Sequence, residues 1–293
     1  MRRFLVILNP KAGLKKGVRQ LKKIRKILEK AGEVTLHETT ARGDATAFVR
    51  EHAAEFDTVV SIGGDGTLNE VARGVAGTGK VFALIPCGSG DGLALHLGIS
   101  RKPLGAIRNI NEGNVETIDY GLIDGKPFFS ISGIGLDATV SYGFAQSPDR
   151  GLKTYITEAL KTWKGFVFER YTVDADGMQW SGRAALVSVG NSNQWGNQAR
   201  ITSPASVTDG KLDVTIVTPF KTLQIPGIVL KLMTGKMHRC RHAVCLQGAR
   251  ITVTRESEGP AHFDGDPMML GSRIEWQAVP HALEMIVPKQ NRI

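Results

Sequence analysis

Residues 58–71 begin with a β-branched run and continue with a glycine-rich stretch that contains one aspartate. Apolar residues at helical spacing follow. This order predicts a strand, a loop that can hold a phosphate, and a helix. Gly63, Gly64 and Gly66 remove Cβ atoms where a backbone must approach a bulky anion, and the helix N-terminus that follows attracts negative charge. We expect Thr67 to cap that helix. The stretch therefore predicts an anion-binding loop.

Asp65 lies inside this loop, although a carboxylate would repel a bare phosphate. A divalent cation between the two groups resolves the conflict, most simply Mg²⁺ carried by a nucleoside triphosphate. An aspartate between glycines can also do no more than form a local turn. The strand before it and the helix after it favour the nucleotide-binding interpretation.

The formal net charge of +9 is unevenly placed, because residues 1–30 hold eleven Lys or Arg and one acid. A nucleic-acid-binding protein would spread such residues over an interface, interleaved with aromatic side chains, and the sequence has no such pattern. We therefore expect no nucleic-acid partner. Because no apolar run approaches about 18 residues, we expect no membrane span and a cytoplasmic protein.

Residues 14–31 combine apolar positions at helical spacing with a basic arc on the opposite face. The arc consists of Lys15, Lys16, Arg19, Lys22, Lys23, Lys26 and Lys30. Such a face can be a solvated helix surface or can dock on anionic lipid headgroups. The second alternative predicts peripheral membrane association through this basic helix.

Strand and helix patterns alternate through the first part of the chain, which predicts a parallel sheet. Residues 86–92 form a second glycine loop after the apolar run 81–85. Loops at the carboxyl ends of parallel strands share one edge of the sheet, so both glycine loops can face one nucleotide. We expect this α/β nucleotide-binding domain to cover residues 1–124.

The pattern changes after residue 115. Residues 115–123 and 126–132 predict a β-hairpin around Asp124-Gly125. Two helices are predicted between residues 136 and 165, and short strands separated by turn signals follow, as is typical of an antiparallel sandwich. We expect a C-terminal antiparallel β-sandwich domain over residues 125–282, with the tail 283–293 able to return to the first domain.

Residues 63–71 resemble the nucleotide-binding motif of the diacylglycerol kinase and sphingosine kinase superfamily, whose core is shared by NAD kinases. Residues 9–13 are similar to the Asn-Pro-x-Ser/Ala-Gly turn of that superfamily, and residues 86–94 resemble its second glycine loop. Residues 133–138 and 204–214 look like lipid-kinase segments that NAD kinases lack. The resemblance covers nearly the whole chain and implies an α/β domain followed by a sandwich with an apolar cleft for acyl chains.

The resemblance implies an ATP- and Mg²⁺-dependent lipid kinase that phosphorylates a hydroxyl of a diacylglycerol-like or sphingoid lipid. It implies nucleotide contacts at Asn9, Pro10, Lys11, Gly13, Thr40, Gly63, Gly64, Gly66, Thr67, Glu70, Gly88 and Ser89. It implies metal contacts at Asp65, Asp119 and Asp209. Residues 262–267 are similar to the Asp-Gly-Glu segment of the family, with Asp for Glu. This implies catalytic roles for Asp264 and Asp266 beside Asp65, and we expect Asp264 to be the base.

Two alternatives stay open at this point. One is an NAD kinase-like enzyme that phosphorylates a soluble nucleotide. The other is a nucleotide-binding regulator without turnover, because Asp91-Gly92 stands where the family commonly has Asn then Asp. The sequence names neither the acceptor lipid nor the oligomeric state.

Overall fold

The computed structural model describes residues 1–12, 16–147 and 152–289 of the chain. They divide into two compact units. The first unit contains Met1–Asp119 and the chain from His281 onward, and the second contains Tyr120–Pro280. The chain therefore leaves the first unit five residues before the boundary expected from the sequence, and it returns at residue 281.

The first unit alternates strands and helices. Its elements are β1 (Arg2–Leu8), α1 (Lys16–Leu28), β2 (Gly32–Glu38), α2 (Asp44–His52), β3 (Thr58–Gly63), α3 (Asp65–Val75), β4 (Val81–Pro86), α4 (Gly92–His96) and α5 (Pro103–Glu112). The strands pair in the order β2-β1-β3-β4, and every pair is parallel. The predicted parallel α/β domain is confirmed.

The parallel pairing brings the carboxyl ends of four strands to one edge. Strand β3 is buried along its whole length, and β1 and β4 are buried over all but their first residues. Ile24 and Leu28 of α1 are fully buried as well. The chain leaves each of these strands as a loop or turn at the carboxyl end of the strand. The turn after β1 and both glycine loops therefore lie at the same edge of the sheet.

The second unit is built from two antiparallel sheets. Its elements are β5 (Asn114–Ile123), β6 (Lys126–Phe128), β7 (Ile131–Gly135), α6 (Leu136–Gln146), α7 (Leu152–Gly165), β8 (Glu169–Ala175), β9 (Met178–Ala184), β10 (Leu186–Gly190), β11 (Gln194–Gly196), β12 (Ala199–Arg200), β13 (Leu212–Val217), α8 (Ile225–Met233), β14 (Ala243–Gly248), β15 (Arg250–Arg255), β16 (Gly259–Phe263), β17 (Asp266–Leu270) and β18 (Arg273–Val287). One sheet has the order β14-β13-β10-β7-β16-β17, and β18, β15, β8 and β9 are neighbours in the other.

Both sheets contribute to one apolar core. Trp276, Tyr171 and Phe128 are among its largest fully buried side chains, and the core also contains apolar residues of β10 and β13. This packing of two antiparallel sheets confirms the predicted sandwich. Strands β5 and β18 each begin in one unit and end in the other.

One predicted strand divides in two. The sequence predicted a single strand over residues 126–132, but β6 pairs with β5 whereas β7 pairs with β10 and β16 of the other sheet. The backbone amides of Phe129 and Ser130 donate to the carboxylate of Asp264 instead of a neighbouring strand. A side chain 135 residues away in the sequence therefore ends the hairpin.

Candidate active site

The first glycine loop leads directly from β3 into α3. The helix begins at Asp65, its N-cap is Gly64, and no side chain caps it. Thr67 is the third residue of the helix, and its hydroxyl accepts a hydrogen bond from Asn9 Nδ2 at 3.0 Å. The predicted capping role of Thr67 is therefore wrong. Gly63 lies under this side chain, where an added Cβ would overlap Thr67.

The two glycine loops approach each other backbone to backbone. An added Cβ on Gly88 would lie 2.8 Å from the Cα of Gly64. These two glycines are therefore needed for the packing of one loop on the other. Gly66 is different, because a Cβ built there meets no protein atom within 4 Å. Of the three glycines of the first loop, Gly66 leaves open space beside the N-terminus of α3.

Asp65 ties the two loops together. One of its carboxylate oxygens accepts the backbone N–H of Asp91 at 2.9 Å, and the other accepts that of Gly92 at 2.9 Å. A carboxylate is also an ordinary ligand of divalent cations. Asp65 can therefore support the loop and also face a cation or a water.

Asp91 and Arg101 hold the second loop. The buried carboxylate of Asp91 accepts the N–H of Gly88 at 2.9 Å and Arg101 Nε at 3.0 Å. Arg101 Nη2 also donates to the carbonyl of Ser89 at 2.8 Å. Asp91 has φ 53°, a left-handed conformation that Asp and Asn tolerate better than most residues. No local sequence pattern indicates the role of Arg101, because it lies ten residues beyond Asp91.

Other residues with a predicted nucleotide contact make hydrogen bonds within the first unit. Both the N–H and the hydroxyl of Thr40 donate to Asp44 Oδ2, and the pKa of Asp44 is lowered chiefly by the backbone bond. The N–H of Lys11 donates to Asn9 Oδ1 at 2.9 Å, so the turn that holds Pro10 is closed by a side chain. The carbonyl of Glu70 accepts the hydroxyl of Thr46. Gly13 lies outside the described residues.

The residues with a predicted metal contact are divided between the units. Asp119 is fully buried in the first unit and accepts the N–H of His281 at 2.7 Å. Asp209, in the second unit, accepts Gln247 Nε2 at 2.9 Å. Within the described residues, no group of three Asp, Glu, His or Cys side chains is close enough to hold a metal by itself. A cation in the first unit would therefore need oxygens from a ligand or from water.

Asp213 adds a second carboxylate beside Asp209. Its pKa is raised to about 6, first by burial and then by the charge of Asp209. Asp213 Oδ2 is buried and has no hydrogen-bond partner among the described residues. A buried, unbonded carboxylate oxygen beside a second carboxylate is chemically suited to a divalent cation.

The Asp264 turn joins β16 to β17. Asp264 and Gly265 have φ of 50° and 83°, as a two-residue hairpin turn of type I′ requires. Asp264 Oδ2 accepts the N–H of Phe129 at 2.8 Å, and Oδ1 accepts those of Ser130 and Ile131 at 2.8 and 3.1 Å. Asp266 is half-buried at the first position of β17. The carboxylate of Asp264 thus holds the segment between β6 and β7.

A buried histidine connects the same turn to α6. His262 Nε2 lies 3.2 Å from Asp137 Oδ2, and the N–H of Gly265 points to His262 Nδ1 at 3.4 Å. Because Nδ1 accepts, Nε2 carries the proton that is shared with Asp137. Asp137 belongs to residues 133–138, so this contact brings two of the sequence segments together.

An apolar cavity of about 200 Å³ lies elsewhere in the second unit. Apolar and aromatic side chains line it, including Leu186 of β10, Val217 of β13, Trp163 of α7 and Ile228 and Leu232 of α8. Trp163 stacks on Phe220 with ring centroids 4.8 Å apart. The cavity is suited to a hydrocarbon chain and not to a charged nucleotide.

Comparison with known proteins places these features in a family. A model of the diacylglycerol kinase catalytic domain matches residues 3–123, and a model of the YegS C-terminal NAD kinase beta sandwich-like domain matches residues 130–287. The chain belongs to the diacylglycerol kinase superfamily. The resemblance inferred from residues 63–71 and the later motifs is confirmed, and the family is one of lipid kinases.

Relatives in this superfamily match along most of their length. The diacylglycerol kinase of Bacillus subtilis (strain 168) is 27% identical, over 91% of this chain and 90% of that protein. A "Probable lipid kinase YegS-like" protein of Pseudomonas aeruginosa is 28% identical, over 89% of this chain and 86% of that protein. The crystal structure of "a putative diacylglycerol kinase" from Bacillus anthracis has a TM-score of 0.82 at 23% identity, covers 98% and 97% of the two chains, and supports the fold.

Proposed function

We propose that this protein transfers the γ-phosphoryl group of ATP to a hydroxyl of a diacylglycerol-like or sphingoid lipid. The observation that carries the proposal is the apolar cavity of the second unit, because a soluble nucleotide acceptor would need polar groups there. The cavity therefore favours a lipid kinase over an NAD kinase-like enzyme. The same chain carries the cross-linked glycine loops that suit a triphosphate.

The nucleotide would bind at the edge where both glycine loops lie. The open space at Gly66 and the first amides of α3 suit a phosphate oxygen, because the helix N-terminus is electropositive. Gly64 and Gly88 keep the two loops in contact, and Asn9 fixes Thr67. Hydrogen bonds within the protein hold this arrangement in place. Lys11, Thr40 and Ser89 would contribute at the same edge.

Mg²⁺ would be held by Asp65 together with the triphosphate oxygens, with Asp119 in support. The hydrogen bonds from the second glycine loop fix the Asp65 carboxylate beside the phosphate loop, and Asp119 accepts one backbone amide. When bound, the ion supplies charge neutralisation for the transferred phosphoryl group. Asp209 and Asp213 would hold a separate, structural cation. The buried unpaired oxygen of Asp213 supports this second assignment.

For the base, the hydrogen bonding favours Asp266 over Asp264. Three backbone amides stabilise the ionised carboxylate of Asp264, which makes it a weak acceptor for a substrate proton. The next carboxylate along the turn, Asp266, lies one glycine away. We therefore propose that Asp264 positions the turn and that Asp266 takes the proton from the lipid hydroxyl.

A transfer assay with ATP labelled at the γ-phosphate tests the function. Diacylglycerol, monoacylglycerol, sphingosine and ceramide would be presented in mixed micelles, and NAD in solution would be a parallel acceptor. We expect label in one or more lipids, no label in NAD, and no transfer with Asp65→Asn. Label in NAD alone would favour the NAD kinase-like alternative. Nucleotide binding without any transfer would favour the regulator.

A further inference from the structure

Helix α8 is apolar and yet not buried. Eight of its nine residues are uncharged and nonpolar, and none of the nine is buried. The single charged residue, Lys231, donates to the carbonyl of Arg239 at 2.8 Å. A helix on a water-facing surface normally buries an apolar stripe and exposes a polar face. Helix α8 exposes apolar side chains instead.

The apolar side chains of α8 form two arcs. Ile225, Ile228 and Leu232 line the apolar cavity and fall within roughly 60° of one another at about 100° per residue. Leu230 and Met233 point away from that arc and are 65% and 45% exposed. Leu223, in the turn before the helix, is 93% exposed. One helix therefore contributes both a wall of the cavity and an outward apolar surface.

Helix α7 extends this surface. Leu160 lines the same cavity and is 60% exposed, so the cavity reaches the surface at this residue. Val167, just beyond α7, is 68% exposed. We call Leu160, Val167, Leu223, Leu230 and Met233 the α7–α8 patch. Exposed apolar residues are common singly, but a group of them on the elements that line an apolar cavity marks a binding surface.

Cations predominate in the segment that contains α8. No Asp or Glu occurs between Asp213 and Glu256, whereas residues 219–242 contain five cations: Lys221, Lys231, Lys236, Arg239 and Arg241. The nearest acid on α7, Glu158, pairs with Lys161 at 2.7 Å. Protein–protein interfaces are depleted in Lys, whereas anionic bilayers attract apolar surfaces rimmed by Lys and Arg. The charge pattern therefore favours an anionic lipid surface as the occupant.

Helix α1 exposes less apolar surface. Ile24 and Leu28 are fully buried, Val18 is 41% exposed, and the other exposed side chains described on this helix are charged. Charge alone attracts a protein to an anionic membrane but does not insert it, and salt screens that attraction. Exposed leucines add an apolar contribution that salt does not remove.

We propose that the α7–α8 patch inserts into the interfacial region of an anionic bilayer and opens the apolar cavity toward it. The cations of residues 219–242 would contact headgroups while Leu223, Leu230 and Met233 enter the acyl boundary. The use of this surface for substrate entry depends on the proposed lipid-kinase function. The membrane contact itself does not.

Vesicle sedimentation tests the contact without turnover. The full chain would be mixed with phosphatidylcholine vesicles that contain 0 or 40% phosphatidylglycerol, at about 0.05 and 0.5 M NaCl. We expect binding to anionic vesicles that weakens with salt but persists. The double variant Leu223→Ser/Leu230→Ser should lower partitioning about 100-fold at both salt concentrations, since each buried leucine contributes about tenfold. Val115→Ser/Met178→Ser is the matched control, because Val115 and Met178 are 49% and 47% exposed outside the patch.

Other outcomes would overturn the proposal. Unchanged partitioning of Leu223→Ser/Leu230→Ser, together with loss in Lys22→Gln/Lys26→Gln, would assign docking to α1 alone. Sedimentation velocity without lipid would show whether the wild type is a dimer and the leucine variant a monomer. That result would assign the patch to contact with a second copy of the chain. Absence of vesicle binding would also reject it. Vesicle binding with no phosphate transfer to any lipid would refute the proposed function but would still support membrane binding by the α7–α8 patch.

Discussion

Asp65 in the first unit and Asp264 in the second both join loops through hydrogen bonds, but they accept different numbers of backbone amides. Each carboxylate joins two loops by accepting backbone amides, but Asp65 accepts one amide on each oxygen whereas Asp264 accepts three in total. A carboxylate that accepts more backbone amides is stabilised more strongly in its ionised form and mainly fixes geometry. The difference separates a chemical role from a positioning role.

The largest expected effect is that of replacing Asp266, the neighbour that Asp264 would position. Asp266→Asn should lower the single-turnover rate of lipid phosphorylation by about 10²- to 10⁴-fold, which is the usual contribution of a general base. Nucleotide affinity and melting temperature should change little. Rapid-quench measurement with saturating ATP checks the rate. A wild-type rate in this variant would indicate that Asp264, and not Asp266, is the general base.

Asp65→Asn should lower transfer by about 10²- to 10³-fold, the usual effect of removing one electrostatic group from an active site. It should also weaken Mg²⁺-ATP binding, because the variant loses the charge that faces the cation. Titration calorimetry with and without Mg²⁺ checks the affinity. Equal loss of affinity for ATP without Mg²⁺ would indicate collapse of the loops instead, and a thermal melt distinguishes the two.

Asp264→Asn should act mainly on stability. Hydrogen bonds to a charged group contribute about 1.5–3 kcal/mol each, but the loss is partial because one amide oxygen remains, so we expect about 2–3 kcal/mol. Urea unfolding of Asp264→Asn and Asp266→Asn side by side measures the difference. If Asp264→Asn retains wild-type stability and loses the chemical step, Asp264 is the base.

The glycines that follow the two aspartates, Gly66 and Gly265, differ in backbone conformation. Neither Gly66 nor Gly265 has a protein atom within 4 Å of an added Cβ, but only Gly265 has a positive φ, 83°. Gly66→Ala should therefore stabilise the protein by about 0.5–1 kcal/mol through helix α3, whereas Gly265→Ala should destabilise it by about 1 kcal/mol.

In Gly66→Ala, the affinity for ATP should fall although the stability of the protein rises. Gly66→Ala fills the space proposed for a phosphate, so it should weaken nucleotide binding about tenfold while the protein becomes more stable. Gly265→Ala should leave ATP affinity unchanged. Unchanged affinity in Gly66→Ala would remove the open space at Gly66 from the nucleotide-binding site.

Local patterns predicted much of the fold and part of the site. Alternating strands and helices, both glycine loops and the Asp264-Gly265 turn depend on residues close in sequence, and the structure contains them all. The bonds from Asp264 to residues 129–131 and from His262 to Asp137 join segments more than 120 residues apart, so no local signal exists for them. The burial of helix α8 could not be predicted for another reason. An apolar sequence usually indicates a buried helix, but no residue of α8 is buried.

Thr67 shows how a local rule can fail. Thr after glycine is a common N-cap, but Gly64 already occupies that position, and Asn9 of another loop uses the threonine hydroxyl. The arrangement of Asp91 is similar, because its role depends on Arg101 and on a left-handed backbone that sequence does not reveal. Tertiary partners decide both cases.

The smallest effect concerns Asp213, a carboxylate at the opposite extreme from Asp264, since its Oδ2 has no hydrogen-bond partner among the described residues. Its folded pKa of about 6 lies above the ordinary value of 3.8, because burial and Asp209 disfavour the charged form. The folded state therefore holds the proton more tightly. The stabilising contribution of this group is complete below pH 3.8 and is lost as pH rises through 6.

Asp213→Asn cannot ionise, so it should raise the melting temperature relative to wild type at pH 7 and have little effect at pH 4. Scanning calorimetry from pH 4 to pH 8 measures the difference. Added Mg²⁺ should stabilise the wild type at pH 7 and not the variant, because a cation between Asp209 and Asp213 would compensate the buried charge. A difference in melting temperature that is independent of pH would mean that Asp213 is not the titrating group. The cation proposed for this pair would then lose its main support.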